Sequence, residues 1–339
     1  MEETPENIAP PTKQLRVWPF LKWGLFVVVI VFVGRRAIQL WRDSPQTELH
    51  VDVRWLIPAA VMYLVGWLPS VWFWRALLAR MHQRVGRYAA IRAHYVGQVG
   101  KYLPGKALVL VLRGSLLEEA GANPIFAGVT AAYETLVFMW AGTALALALA
   151  PLTMPEPYWQ QLPVAVQSLR HPVWLLPLIV LVGTVATTPF SAWLFTLVGR
   201  KALPRDPSAP QPPAFTAGLM VQGAFLTSLG WLCHAISLGC TLQSLSDRPF
   251  DLAQFPSWLA SVCVSTVGGF VILIAPGGLG VREWLLVEML KDQPAIGPTH
   301  AVVAAGLLRA VWFVAELVAA GVLYIVKPAS RTQTNVSLE

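Results

Sequence analysis

Two stretches place a Pro-Gly break and fixed charge inside otherwise apolar sequence, and they restrict the fold more than any other feature of the chain. The first is Gly100-Lys101-Tyr102-Leu103-Pro104-Gly105-Lys106, running on to Arg113. The second is Ala275-Pro276-Gly277-Gly278-Leu279-Gly280-Val281-Arg282-Glu283. Backbone that leaves the helix at membrane depth exposes N–H and C=O groups that lipid cannot satisfy, so it is tolerated only where protein or a water-filled cavity covers it. A matched pair of Gly/Pro-interrupted apolar segments, one in each half of a chain, is a sequence mark of a transporter's midplane site. Pro104, Gly105, Pro276, Gly277, Gly278 and Gly280 are therefore read as helix breaks, and the rest of the chain as walls around them.

The walls have to be membrane helices. Of 339 residues, 55% are hydrophobic and 13% charged, about half the charged share of an average soluble domain. The 15 tryptophans suit a chain with many bilayer interfaces. The net charge of +7 comes from cations in short loops between apolar runs, where membrane topology accounts for them. The expected partner is therefore an anionic lipid headgroup and not nucleic acid. Cys233, Cys240 and Cys263 all fall in apolar runs without His or Asp at ligand spacing. They read as small packing residues, with no disulfide framework and no metal site.

In chain order, residues 1–16 are expected to be a disordered cytoplasmic tail. Residues 17–34 resemble a signal peptide without a cleavage site, hence an uncleaved first span. Further spans are expected over 55–79, 125–150, 173–198, 215–240 and 300–326, with the broken segments at 93–119 and 255–290. Arg75 lies near the end of the second span and Arg80, Arg84, Arg87 and Arg92 follow it, which puts this loop, with the N-terminus, in the cytoplasm. Lys327 and Arg331 put the C-terminus there as well. The expected fold is an all-α polytopic membrane protein of about six transmembrane helices plus two Pro-Gly-broken re-entrant hairpins. Its repeats are 17–150 and an inverted 151–327, followed by a tail at 328–339. Eight full spans are the alternative, because the apolar run before Pro276 has about 20 residues, enough to cross ~30 Å of hydrocarbon.

Ionisable residues inside these spans are the candidate site. Lys106 and Arg113 are seven apart and share a helix face. They either snorkel to headgroups or, as the apolar residues between them favour for Arg113, face a polar cavity. Arg282 and Glu283 open a helix after a Gly-rich turn. A carboxylate suits that end and a cation does not, so Arg282 calls for a carboxylate from another span or a bound phosphate. With Lys101 these residues form the expected headgroup site. Glu134, Arg309 and Glu316 lie in long spans. A Glu134–Arg309 pair joining the halves is the plain reading, and a polar relay the sharper one. Arg309 and Glu316 are about 10 Å apart along a helix, too far to pair directly. The six histidines are scattered, and no HExxH, nucleophile elbow, P-loop or Rossmann fingerprint occurs, so no catalytic residue, cofactor or metal is expected.

The Pro-Gly-Lys motif with Arg113, the membrane Glu134 and the late Pro-Gly-Gly-Leu-Gly-Val-Arg-Glu together resemble the lysylphosphatidylglycerol synthase transmembrane-region family of flippase-like proteins. The resemblance covers residues 17–327. It implies movement of an anionic, aminoacylated or polyprenyl-phosphate-linked lipid between leaflets of a bacterial inner membrane. Lys101, Lys106, Arg113, Glu134, Arg282, Glu283 and Arg309 would then line the headgroup path. One departure is Thr135 after Glu134, where many members have Arg. Complete aminoacyl-lipid synthases of this kind carry a soluble transferase domain after the membrane part. This sequence stops soon after its last span, so it is not expected to be a complete synthase. Two other functions fit the sequence. One is an integral-membrane transferase on a lipid-linked donor, with Glu118, Glu119 or Glu283 as the base. The other is a non-catalytic partner of a separate lipid-modifying synthase or glycosyltransferase.

Overall fold

The computed structural model describes residue 35 and residues 50–102, 108–154, 156–202, 215–247, 249–272, 278–293 and 296–326. The expected first span, both expected tails, and Pro104, Gly105, Lys106, Pro276 and Gly277 lie outside the described residues. Among the described residues there is no strand, and nine α-helices have ten or more residues. They are α1 (Leu56–Arg80), α2 (Arg87–Gln98), α3 (Leu108–Glu118), α4 (Pro124–Thr153), α5 (Leu175–Ala202), α6 (Ala217–Gln243), α7 (Phe255–Val271), α8 (Val281–Leu290) and α9 (Gly297–Ile325). The protein is an all-α polytopic membrane protein.

Five of these helices, α1, α4, α5, α6 and α9, are long and apolar enough to cross a bilayer. They coincide with the five expected spans that fall within the described residues. Their starts follow local chemistry. Asn123 caps α4 by accepting the Ile125 N–H at 2.9 Å, with Pro124 at the first helical position. Thr216 caps α6 by accepting the Leu219 N–H at 3.3 Å. Each cap satisfies one of the backbone donors left open at a helix start.

The central contact is between α1 and α6, which run antiparallel. The pairing is read along the helices: the Asp52 N–H donates to the Ser244 carbonyl at 2.8 Å, and the Ser237 hydroxyl donates to the Ala59 carbonyl at 2.7 Å. Further along, Gly66 faces Gly230, and Gly223 faces the Phe73 ring. Small residues bring the two backbones together: a Cβ on Gly230 would sit 2.5 Å from the Gly66 carbonyl oxygen. Without a hydrophobic drive between helices in lipid, such close backbone approach supplies the packing energy.

Both broken segments are antiparallel helical hairpins. In the first, Arg92 pairs with Glu119 at 2.8 Å near the base. Nearer the tip Gly97 abuts the Arg113 side chain and Gly100 abuts Leu108 and Val109. In the second, the Gln293 amide donates to the Ser257 hydroxyl at 2.5 Å, and toward the tip Gly268 and Gly269 abut Leu285 and Arg282. With 12 and 11 residues, α2 and α3 rise only about 18 and 16 Å, short of a ~30 Å hydrocarbon core. The first hairpin runs along α9 from its end to its middle. The Tyr88 hydroxyl donates to the Val326 carbonyl at 2.5 Å, Arg92 donates to the Leu323 carbonyl at 3.1 Å, and the Tyr102 hydroxyl reaches Glu316 at 2.8 Å.

The packing is also symmetric under exchange of α1–α4 for α6–α9. The first hairpin lies on α9 through α2, and the second on α4 through α7. Likewise α3 packs on α4 as α8 packs on α9, and α1 on α9 as α6 on α4. The helix at the centre, α1, is antiparallel to its own counterpart, α6.

Replacing Gly230 by Val forces a branched side chain against the Gly66 backbone, which cannot move aside as a side chain could. Overpacking of this kind costs about 1–3 kcal/mol. A lowered midpoint of thermal unfolding in detergent is expected. Gly183→Ala, where a Cβ meets nothing within 4 Å, should leave that midpoint unchanged or raise it.

Candidate functional site

Residues flanking the turns of the two hairpins, the middles of α4 and α9, and α1 with α6 line a cavity of about 410 Å³. Lys101, Arg113, Glu134 and Arg282 all line it. Its floor is aromatic, with Tyr63 stacked on Trp312 at 4.2 Å and Trp67 stacked on Phe138 at 5.0 Å. Gln98, His234 and Thr266 add polar groups to the wall. Leu136 also lines it, yet is 48% exposed on the outer side of α4, so the cavity reaches the lipid-facing surface there.

Three charge clusters organise the cavity and its edge. In the first, the Arg113 guanidinium donates to Glu134 at 2.8 Å, and both side chains are almost wholly buried. Gly97 makes this possible, because a Cβ there would lie 2.6 Å from the Arg113 side chain. The guanidinium also rests over the Trp74 ring at 5.3 Å. The other Glu134 oxygen stands 3.7 Å from the buried His94 Nε2.

The second cluster joins the halves. Lys101, at the tip of the first hairpin, pairs with Glu316 of α9. The Tyr63 hydroxyl donates to the same oxygen as Lys101, and the Tyr102 hydroxyl donates to the other at 2.8 Å. Three donors on one carboxylate, 2% exposed, meet the requirement that a buried charge be both paired and hydrogen-bonded.

The third cluster is at the start of α8. Gly280 has φ +85°, a left-handed conformation open to glycine, and starts the helix. Glu283 folds back to accept the Gly280 N–H at 2.6 Å, the half of a capping box that a glycine N-cap allows. Its other oxygen lies 3.5 Å from Arg309. Arg282 points the opposite way, its guanidinium carbon 4.1 Å from the centre of the Trp312 ring. Among the described residues no carboxylate lies within ion-pair distance of Arg282, although the helix N-terminus beneath it is unfavourable for a cation.

These positions correct two expectations. Glu134 pairs with Arg113 of its own half, not with Arg309, because α3 lies directly on α4. The bridge between halves is Lys101–Glu316 instead. Glu283 is not on the cavity wall: its carboxylate is spent on the cap and Arg309, and it faces an adjoining void of about 10 Å³, one water at most. As expected, Arg309 and Glu316 do not pair with each other. Glu118 and Glu119 stand at the base of the first hairpin, away from the cavity, with Glu119 held by Arg92. Lys106 lies outside the described residues. Tyr63, Trp67, Gln98, His94, His234 and Trp312 were not anticipated. A weak signal existed for the first pair, since Tyr63 and Trp67 are polar-tipped aromatics one turn apart in an apolar span.

Among the described residues no group of His, Cys, Asp and Glu is placed to hold a metal. What the fold and cavity define is a multi-pass α-helical membrane protein with a largely apolar chamber, edged by Lys101, Arg113 and Arg282, between two broken hairpins. The family model for the lysylphosphatidylglycerol synthase TM region matches residues 20–320. The chain belongs to that family, whose members are integral membrane proteins related to lipid modification or translocation. Among curated proteins none matches the chain.

Arg113→Met and Glu134→Gln each leave one charged or polar group buried without its partner, a loss of about 3–5 kcal/mol for such pairs. The double variant Arg113→Met/Glu134→Leu removes both and should be more stable than either single variant. Chemical unfolding of the three proteins in detergent micelles measures this order.

Proposed function

We propose that this protein is a lipid translocase that moves the headgroup of an anionic lipid through the cavity while the acyl chains stay in the bilayer. The observation that carries the reading is Arg282: a cation at the cavity wall, at a helix N-terminus, with no carboxylate partner among the described residues. A guanidinium is suited to a phosphate through paired N–H donors. Arg113 and Lys101 on the same wall add positive potential, though each already holds a carboxylate. The exposed Leu136 at the cavity's edge offers acyl chains a route along α4.

In this reading the two broken segments are re-entrant hairpins that enter from opposite faces and meet at mid-membrane. The support is the short rise of α2 and α3 and the position of the first hairpin's tip beside the middle of α9. The halves are inverted repeats, a reading favoured by the antiparallel α1 and α6 and the exchange symmetry of the packing. Rocking of one repeat against the other would then switch access between leaflets. The arginine-rich loop between α1 and α2 favours a cytoplasmic side for it, and with it a bacterial inner membrane with both termini inside. The lipid is the partner, supplied or consumed by a separate lipid-modifying enzyme.

The test is leaflet-resolved transport of a labelled phosphatidylglycerol in proteoliposomes. Arg282→Gln is the variant of choice, because it strands no buried carboxylate. Transport by the wild type, reduced about tenfold or more by Arg282→Gln, is the expected outcome for loss of one charge-assisted contact. Equal rates in the two proteins would remove Arg282 from the path.

A further inference from the structure

We infer that residues 17–34, the apolar segment ahead of α1, dock in the groove between α1 and α9, as α5 docks between α6 and α4. The inference goes beyond the translocase reading and does not depend on what the chamber carries.

The seat of α5 shows such a groove when it is filled. There α5 packs on both α4 and α6. Phe195 stacks on Tyr133 of α4 at 4.5 Å, and the Tyr133 hydroxyl donates to the Phe195 carbonyl at 2.7 Å. On the other side the Phe215 N–H, just ahead of α6, donates to the Thr196 hydroxyl at 2.9 Å. Ala192 is buried in one cluster with Phe73, Leu219 and Met220. Exchanging α1–α4 for α6–α9 turns this groove into the one between α9 and α1. Among the described residues α5 is the one membrane-length helix without a counterpart, and the walls of the second groove are bare.

Both walls are apolar stripes. On α1, Ile57, Val61, Val65 and Trp72 are exposed, at spacings of four, four and seven that keep them on one face. Ala59, Gly66 and Phe73 of the same helix meet α6, and Tyr63 meets Trp312 of α9, so the stripe belongs to neither contact. On α9, Gly306, Ala310, Val314, Leu317 and Gly321 are exposed, again at spacings that share one face. Lipid covers an apolar stripe whether or not it holds glycine, whereas a second helix gains from glycine by approaching more closely. A Cβ on Gly306 or Gly321 meets nothing within 4 Å. Gly306 also stands as far along α9 as Tyr133, which holds α5, stands along α4, nine residues past the first.

The occupant follows from the chain itself. Residues 17–34 hold the unbroken apolar run Trp-Gly-Leu-Phe-Val-Val-Val-Ile-Val-Phe-Val, and 18 residues lie within the range of about 17–25 for a membrane helix. About fifteen residues, 35–49, lead from it to the described start before α1, much as a short connection leads from Ala202 to Ala217 between α5 and α6. Helices joined by short connections pack as antiparallel neighbours. The tether also gives this segment a far higher effective concentration at the groove than any segment of a second copy.

The test is disulfide formation in the full-length protein in detergent micelles. Val28→Cys, Val29→Cys, Ile30→Cys and Val31→Cys, near the end of the segment as Phe195 is near the end of α5, are each paired with Gly306→Cys. Consecutive positions turn by about 100°, so one of the four faces α9. After mild oxidation, gel mobility separates links within a chain from links between chains, and peptide mass spectrometry names the joined cysteines, so the native ones can stay. One or two of the four should link to Gly306→Cys within the chain, at a yield about tenfold above the same positions paired with Gly183→Cys, an equally open glycine on α5. No link to Gly306→Cys, a higher yield with Gly183→Cys, or links only between two chains would each overturn the inference. Val61→Cys, on the other wall, replaces Gly306→Cys if that variant does not fold.

Discussion

Every charge placed at membrane depth must be neutralised inside the protein or face a polar chamber, and this constraint organises the structure. A lone central Arg costs about 2.5–3.5 kcal/mol on insertion scales, so charged residues of different helices are drawn together as the bundle forms. Arg113 finds Glu134, Arg309 finds Glu283, and Lys101 finds Glu316. Each pair ties a hairpin to a long helix. The first two tie each hairpin to the long helix that follows it, and the third ties the first hairpin to the last helix of the chain. The described parts of both hairpins are thereby held against the long helices, and the cavity lies between them.

Much of the architecture was legible in the sequence because it depends on runs of one residue class. Apolar length places α1, α4, α5, α6 and α9 to within a few residues at each end, since a membrane helix needs about 20 apolar residues whatever its neighbours are. The hairpins were legible as breaks, because Pro and Gly act on the local backbone. The pairing of charges was not. Glu134 could be matched to Arg309 or Arg113 with equal economy from the sequence, and only the lie of α3 on α4 settles it. Glu283 was placed in the headgroup site for its neighbour Arg282. The helix turns adjacent side chains about 100° apart, so one faces the chamber and the other folds back on the cap. Beyond the weak signal of Tyr63 and Trp67, the aromatic floor was not legible for a related reason. Tyr63, Trp67, His234 and Trp312 come from three helices, and no periodicity within one helix announces a contact made between three.

The α1–α6 contact sets the geometry of everything around it. Its two glycines, 66 and 230, let the backbones touch, and Gly142 does the same for the Trp231 ring on the α4 side. Trp231 in turn donates to the Phe138 carbonyl at 2.8 Å, and Trp312 donates to the Ser237 hydroxyl at 2.9 Å. Thus α4 and α9, which face the two hairpins, are both hydrogen-bonded to α6 through indole groups. A shift at the central crossing would be carried to both sides of the chamber through these directional links.

The halves match in packing but not in charge, and the mismatch is what makes a site. In the first half the hairpin gives the cation, Arg113, and the long helix the carboxylate, Glu134. In the second the hairpin gives the carboxylate, Glu283, and the long helix the cation, Arg309. Had the second half repeated the first in sign, the cation of its hairpin would be neutralised as Arg113 is. Because the sign is swapped, the hairpin's carboxylate serves its own helix start and Arg309, and the neighbouring Arg282 is left over on the chamber side. Among the described residues the chamber thus carries an uncompensated positive charge on its α8 wall. In the translocase reading proposed above, a headgroup phosphate would be held off-centre, against α8 and Trp312, and the second hairpin would bear the load of any movement between the halves.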